Sequence, residues 1–429
     1  MARRLTTIAR VLSLFPQTAD VRDGELELGG VSAPTLAAEF GTPVVVYDEQ
    51  TLLENARAYR EAAPDALLLY SLKAFPNLTI LRLLATEGYG ADVSTLGELE
   101  FARRAGIPGD ATVVHGNNKS DEELRAAAQA DVRFVVLDAL DEVERAAAAG
   151  VRRVLVRVTP GIDADTHEKI RTAHEGSKFG LAPDKAREAI DRARAAGLAV
   201  AGVHLHIGSQ LLDPQAGLET VDWLKGFAAD SWAPIVVDLG GGLGIRYVED
   251  ERPPAIREFV STLLARLHDG WPGETPQVVL EPGRSIVGPA GVTLYRVGVV
   301  KRASRDLTYV AVDGGMSDNP RPQLYGARYE ALLANRADEE PAGSYRVAGK
   351  HCESGDVLIE DARLPAPRRD DLLAVPATGA YTLSMGSNYN AVPRPAAVLV
   401  RDGEARLIRR RETLDDLLRL DETTARLSR

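Results

Sequence analysis

Between residues 66 and 283 the chain alternates eight short apolar runs with stretches of helical period, and few folds accept that pattern. The runs are ALLLYSLK (66–73), GADVS (90–94), TVVHG (112–116), RFVVLD (133–138), RVLVRV (153–158), VAGVHLHI (200–207), PIVVDLG (234–240) and QVVLEPG (277–283). Segments such as LGELEFARRAG, SDEELRAAAQA and DKAREAIDRARAAG separate them, with apolar residues spaced for one helix face. Eight strands and seven helical connections, with an eighth expected near the boundary, predict a (β/α)8 TIM-type barrel over 44–295 rather than an open doubly wound sheet. Lys73, Asp92, His115, Arg157, His206, Gly240 to Gly242 and Glu281 fall at or just past the C-terminal ends of those strands. Barrel enzymes assemble their sites at that end.

From about residue 296 the texture changes to β-rich runs broken by Gly and Pro, such as VTLYRVGVVKR, LTYVAVDGG and AAVLVRDGEARLIRR. These read as an antiparallel sandwich or barrel, a second domain formed by 1–43 and 296–429. Near the start, DGELELGGV reads as a stray strand of that domain and APTLAAEFG as a short helix. A length of 429 residues fits two domains, and 45% apolar with 26% charged residues fits a large core. The net charge of −11 argues against a nucleic-acid partner, which calls for basic patches. The N-terminus lacks a long apolar core, and no run approaches membrane-spanning length. A single cysteine makes no intrachain disulfide, so the expectation is a cytoplasmic protein without membrane contact.

Two glycine-bearing loops follow the seventh and eighth strands, VVDLGGGLG and LEPGRS, where barrels often bind phosphate through backbone N–H groups. Lys73 ends the first strand in YSLKAFPN, and a crowded lysine can attack carbonyls. Taken singly it reads as a surface residue; with a phosphate cradle and an acid it points to a phosphorylated aldehyde cofactor, which pyridoxal 5′-phosphate satisfies. Aldol chemistry on Lys73 without that cofactor is the other reading. His204 and His206 share one strand face in HLHIGSQ, where an imidazole stacked on a cofactor ring competes with a core histidine. No spacing of His, Cys and acidic residues calls for a metal.

Segments in order along residues 40–400 carry a resemblance: YSLKAFPN, GADVSTLGELEFARRAG, HGNNKSDEEL, RVTPGIDADTH, SKFG, HLHIGSQ, DLGGGLG, EPGRS, VAVDGGMSDNPRPQLY, CESGD and SNYN followed by RP. The chain resembles the fold-type III pyridoxal-phosphate decarboxylases, and among them those acting on meso-2,6-diaminopimelate. The resemblance implies an alanine racemase-like architecture, a barrel plus a C-terminal β-sandwich or β-barrel domain, and release of L-lysine and carbon dioxide. Sister enzymes acting on ornithine, arginine or carboxynorspermidine are the alternative.

By the same resemblance Lys73 carries the cofactor and His206 stacks on its ring. Glu281 pairs with the ring nitrogen, where a carboxylate favours the protonated form. Ser209, Gly240, Gly241, Gly242 and the loop Glu281, Pro282, Gly283, Arg284 hold the phosphate with Tyr389. Arg284 and Arg321, beside Tyr325, are assigned to the distal carboxylate, Glu353 to the distal ammonium, and Tyr389 also to substrate. Cys352 becomes the proton donor, entering from the partner subunit of a homodimer with shared active sites; an ordinary thiol, pKa about 8.5, mostly keeps its proton near neutrality. Lys350 and His351 precede it where many relatives carry less polar residues. The stretch THEKIRTAHEGSKFG (166–180) is long enough to serve as a lid.

Overall fold

The computed structural model describes residues 7–161, 177–206, 208–230, 232 and 234–422. The lid reading of 166–180 therefore lies outside the described residues, save for 177–180. Contacts divide the chain into one unit of 51–246 with 250–289, and another of 1–50, 247–249 and 290–429.

The first unit is the barrel. Its strands are β1 (Leu67–Ser71), β2 (Gly90–Val93), β3 (Thr112–Val114), β4 (Phe134–Leu137), β5 (Arg153–Arg157), β6 (Ala199–His204), β7 (Val236–Asp238) and β8 (Gln277–Leu280). They pair in chain order, every neighbour parallel, and β8 closes on β1 through Val279 opposite Leu67. Strands buried on both faces read as unbroken apolar runs, which is why eight of them were visible in the sequence. Inside, Leu69, Val113, Phe134, Val136, Leu155, Val236 and Val279 form one apolar cluster. Each such side chain contributes roughly 1.5–3 kcal/mol on burial. Among the described residues seven helices make the connections from Leu78–Thr86 to Ile256–His268, and helix Glu49–Ala62 precedes β1. Tyr59 on that helix shares a 2.7 Å hydrogen bond with Ser285, just past β8, and so completes the ring of helices. Side chains cap the early helices at the strand exits: Asn77 accepts from Thr79 and Ile80, and Ser120 forms a capping box with Glu123.

The second unit is built on a nine-stranded sheet. Its long strand Gly291–Arg302 pairs antiparallel with Val44–Asp48, Leu372–Val375 and Thr308–Val312. Two pairings are parallel where the sequence suggested only antiparallel ones: Val44–Asp48 with Ala396–Arg401, and Thr308–Val312 with Gly343–Ala348. The strand Val44–Asp48 also fell within the barrel range read from the sequence. A wholly buried run such as VVVYD does not reveal which sheet takes it. The N-terminal DGELELGGV forms part of a separate three-stranded sheet, and Ser32 caps the helix Ala33–Phe40. Leu26, Leu36, Val46, Leu294 and Val398 anchor the apolar core of this unit. Among the described residues, no helix is long and apolar enough to cross a membrane.

Candidate active site

Every barrel strand ends on a buried polar side chain. Ser71, Asp92, His115, Asp138, Arg157, His204, Asp238 and Glu281 stand within one residue of the C-terminal ends of β1 to β8. Polar groups out of water need partners, and two of these, His115 and His204, contact Glu281. Its Oε1 lies 2.6 Å from His115 Nε2, and its Oε2 lies 3.5 Å from His204 Nε2. Asp92 Oδ1 approaches the same His115 nitrogen at 3.6 Å, while Asp92 Oδ2 accepts the Ser71 hydroxyl at 2.5 Å. The His115 and His204 rings meet edge to face at 4.8 Å.

These contacts sort the charges. Burial favours a neutral Glu281, but the charge and hydrogen bonding of His115, then His204, outweigh it and hold this carboxyl well below the usual range. Burial likewise opposes protonation of His115, yet Glu281 and Asp92 raise its pKa above the ordinary histidine value. His204 is pushed down to about 3 by burial, and His206 is also driven well down by burial, aided by the Lys73 charge. Burial and the Glu281 charge raise Asp92; the same two causes raise Asp238 further. The site therefore favours an ionised Glu281 beside a protonated His115, next to neutral His204 and His206.

His115, His204 and Glu281 are also, among the described residues, the group whose ligand atoms (within 4.8 Å of one another) could close on a metal ion. Two ligands of one tetrahedral ion stand about 3.4 Å apart. The 2.6 Å contact between His115 and Glu281 is tighter than that and is the spacing of a direct ion pair. The trio is an acid–base cluster.

Beside it lies the glycine-rich turn after β7. Gly240 and Gly242 have φ of +65° and +114°, and a Cβ on Gly241 would stand 2.5 Å from the Glu281 carbonyl oxygen. A Cβ on Gly240 would stand 2.6 Å from His206 Nδ1. Only glycine fits here, because the loops after β6, β7 and β8 pack against one another too closely for a side chain. Arg284 Nη2 donates to Ser209 Oγ at 2.7 Å, joining the EPGR loop to the HIGSQ loop after β6. The Pro282 carbonyl accepts from Ser71 N–H at 3.1 Å, and Gly283 packs against Ser71 and Ala74, which seats the EPGR turn on the exit of β1. Lys73 follows in the one-turn helix Leu72–Ala74, its side chain exposed. The ring of His206 lies 6.5 Å from that of His204 and within 8° of parallel. The barrel thus brings together Lys73, His206, Ser209, Gly240 to Gly242 and Glu281 to Arg284 at one face.

The remaining assigned residues belong to the β-rich unit, where three segments meet. Asp356 accepts Met316 N–H at 2.7 Å and His351 N–H at 2.9 Å, and a Cβ on Gly349 would stand 2.1 Å from its carboxylate. His351 is buried, with its Nε2 2.9 Å from Ser317 Oγ, and Ser387 N–H donates to the Ser317 carbonyl. This accounts for the polar residue before the cysteine: it ties the CESGD loop to the SDNP turn. Cys352 is exposed, and its N–H donates to Asn390 Oδ1 at 2.9 Å. Tyr389, 41% exposed, sets its ring 5.6 Å from that of His351. Glu353 is exposed and accepts from Gly355 N–H. Tyr325 is half-buried and points its hydroxyl at Met385 Sδ, 4.0 Å away. Arg321 is buried against Tyr247 and Tyr329.

His115, Asp92 and Arg157 were visible in the sequence as strand-end residues, but nothing there showed that His115 and Asp92 meet around Glu281. Tyr247, Tyr329 and Asn390 carried no signal, since their importance lies in contacts across the fold.

Known proteins resemble this chain in sequence and fold. Residues 49–288 match the family model for the pyridoxal-binding domain of pyridoxal-dependent decarboxylases. The chain is 46% identical to diaminopimelate decarboxylase of Actinosynnema pretiosum subsp. auranticum, covering 95% of this chain and 94% of that one. It is 42% identical to the Bacillus subtilis (strain 168) enzyme of the same name, over 93% and 95%. The crystal structure of diaminopimelate decarboxylase from M. jannaschii in complex with L-lysine superposes with a TM-score of 0.88 at 33% identity, over 95% and 98% of the two chains.

Proposed function

Because this chain belongs to the pyridoxal-dependent decarboxylases, we infer that it removes carbon dioxide from meso-2,6-diaminopimelate to give L-lysine, the last step of lysine biosynthesis, with pyridoxal 5′-phosphate as cofactor. The residues at the barrel mouth fit that cofactor. An ionised buried carboxylate suits a protonated ring nitrogen, neutral imidazoles suit a ring face, and a glycine turn with backbone at positive φ suits a phosphate. Bound there, the cofactor supplies an electron sink for the carbon–carboxylate bond that breaks.

The chain's own residues take the following roles. Lys73 provides the amine that tethers the cofactor aldehyde. Glu281 keeps a proton on the ring nitrogen, and His115 balances Glu281 before that nitrogen arrives. His206 faces the ring. Ser209, Gly240 to Gly242, Pro282, Gly283, Arg284 and Tyr389 hold the phosphate. Arg284 and Arg321, with Tyr325, receive the distal carboxylate, Glu353 receives the distal ammonium, and Tyr389 also borders the substrate. Cys352 delivers a proton to the carbon that has lost its carboxylate. We propose that the protein works in the cytoplasm as a homodimer in which the β-rich domain makes subunit contacts and Cys352 serves the partner's site.

The observation that favours this substrate is Arg321, a buried cation surrounded by neutral aromatic groups. Ornithine, arginine or carboxynorspermidine would bring a cation where diaminopimelate brings a carboxylate. The test is carbon dioxide release by the cofactor-loaded protein from each diaminopimelate stereoisomer and from ornithine and arginine. Release from the meso isomer alone is expected. No release from it, with turnover of a basic amino acid, would overturn the reading.

A further inference from the structure

Arg321 opens the one-turn helix Arg321–Tyr325 and is only 5% exposed. A guanidinium taken out of water is normally matched by a carboxylate. Here, among the described residues, no carboxylate pairs with it, and its Nε has no hydrogen-bond partner. Its surroundings are aromatic instead. The guanidinium carbon lies 4.2 Å from the ring centroid of Tyr247 and 5.7 Å from that of Tyr329. The Tyr329 hydroxyl accepts from Nη1 at 2.5 Å, and the two rings meet edge to face at 5.4 Å. Both tyrosines are themselves buried.

Ring faces attract a cation without neutralising it. The charge is therefore held in place and left for an anion. A purely structural arginine would have no use for that arrangement, because an acid at the same position would stabilise it better. The guanidinium plane is fixed twice over, by the Tyr247 face and by the Tyr329 hydroxyl, and a planar fork held this way can offer two parallel N–H bonds.

We infer that Tyr247 and Tyr329 are positioning residues that hold Arg321 as a rigid receptor for the carboxylate at the non-reacting end of the substrate, and that this clamp sets the selectivity against ligands lacking that carboxylate. The inference rests on the assignment of Arg321 to the distal carboxylate. Tyr329→Phe removes the hydroxyl and keeps the ring; Tyr247→Ala removes the face, and Tyr247→Phe returns it.

The experiment uses the cofactor-loaded enzyme with two competing ligands, L-lysine and cadaverine, which differ only in the carboxylate. In Tyr329→Phe and Tyr247→Ala the inhibition by L-lysine weakens on the order of tenfold, the size of one lost charge-assisted hydrogen bond. Inhibition by cadaverine stays put. KM for meso-diaminopimelate rises by a similar factor while kcat changes less than about twofold, and Tyr247→Phe recovers the L-lysine affinity. A general loss of structure would weaken both ligands together and lower the cofactor content. Folded, cofactor-loaded variants whose L-lysine to cadaverine ratio matches the wild type would overturn the clamp while leaving the proposed reaction intact. A wild-type enzyme inert toward meso-diaminopimelate would remove the reaction and the clamp together.

Discussion

Replacing His115 by Gln tests the charge arrangement at the heart of the barrel. The substitution keeps a hydrogen-bond donor near Glu281 but removes the positive charge 2.6 Å from Oε1, in a place where both residues are buried. Removing one partner of a buried pair costs about 3–5 kcal/mol. The glutamine amide and partial protonation of Glu281 return some of this, which leaves about 2–4 kcal/mol. For a unit of about 240 residues each kcal/mol moves Tm by about 2–4 °C, so the barrel transition should fall by about 5–15 °C. The pH dependence follows from the two shifts. His115 has its folded pKa raised above the unfolded value of about 6.5, so its contribution is complete below that pH and fades as pH rises through the folded value. Glu281 is lowered, so its contribution is present above about pH 4.3 and fades as pH falls through its folded value. The gap in Tm between wild type and variant should thus be widest between about pH 4.5 and 6.5 and narrow toward alkaline pH. Calorimetry on wild type, His115→Gln, Glu281→Gln and the double variant measures it, and the double should cost less than the sum of the singles. A His115→Gln protein that melts within about 2 °C of wild type at every pH would refute the pair as a source of stability.

Other substitutions probe the remaining parts of the site. Lys73→Ala should lower turnover at least about a thousandfold and abolish the borohydride-reducible link to the cofactor, read by absorbance and mass spectrometry. Cys352→Ala should leave cofactor binding intact while slowing lysine formation about a hundredfold; an unchanged rate would make the thiol a bystander. Gly241→Ala places a methyl group 2.5 Å from the Glu281 carbonyl oxygen and should weaken cofactor affinity at least about tenfold, measured by fluorescence titration. Asp356→Ala frees the N–H groups of Met316 and His351 and should cost about 2–3 kcal/mol, with faster alkylation of Cys352 as its loop loosens.

The strands of the barrel could be read along the chain because burial on both faces writes itself as short apolar words, and the polar residues ending them mark the face that matters. What lies across the barrel could not. His115 and Glu281 meet only because β3 and β8 belong to one closed ring, a fact of pairing that no local pattern contains. VVVYD at 44–48 shows the same limit from another side, since its buried run would serve a barrel or a mixed sheet equally well. Arg321 was found through a motif, but the tyrosines around it come from 74 positions before and 8 after, and only the folded chain assembles them.

The placement of Val44–Asp48 between Gly291–Arg302 and Ala396–Arg401 imposes an order on biogenesis. The barrel residues, nearly contiguous in the chain, can close while the ribosome is still translating. The early strand has no lasting neighbour on one side until roughly 350 further residues have emerged, on the order of 20–70 s at about 5–20 residues per second. For that interval a sticky apolar ribbon stays unsealed, and a chain that stops short of Ala396 would leave it so permanently.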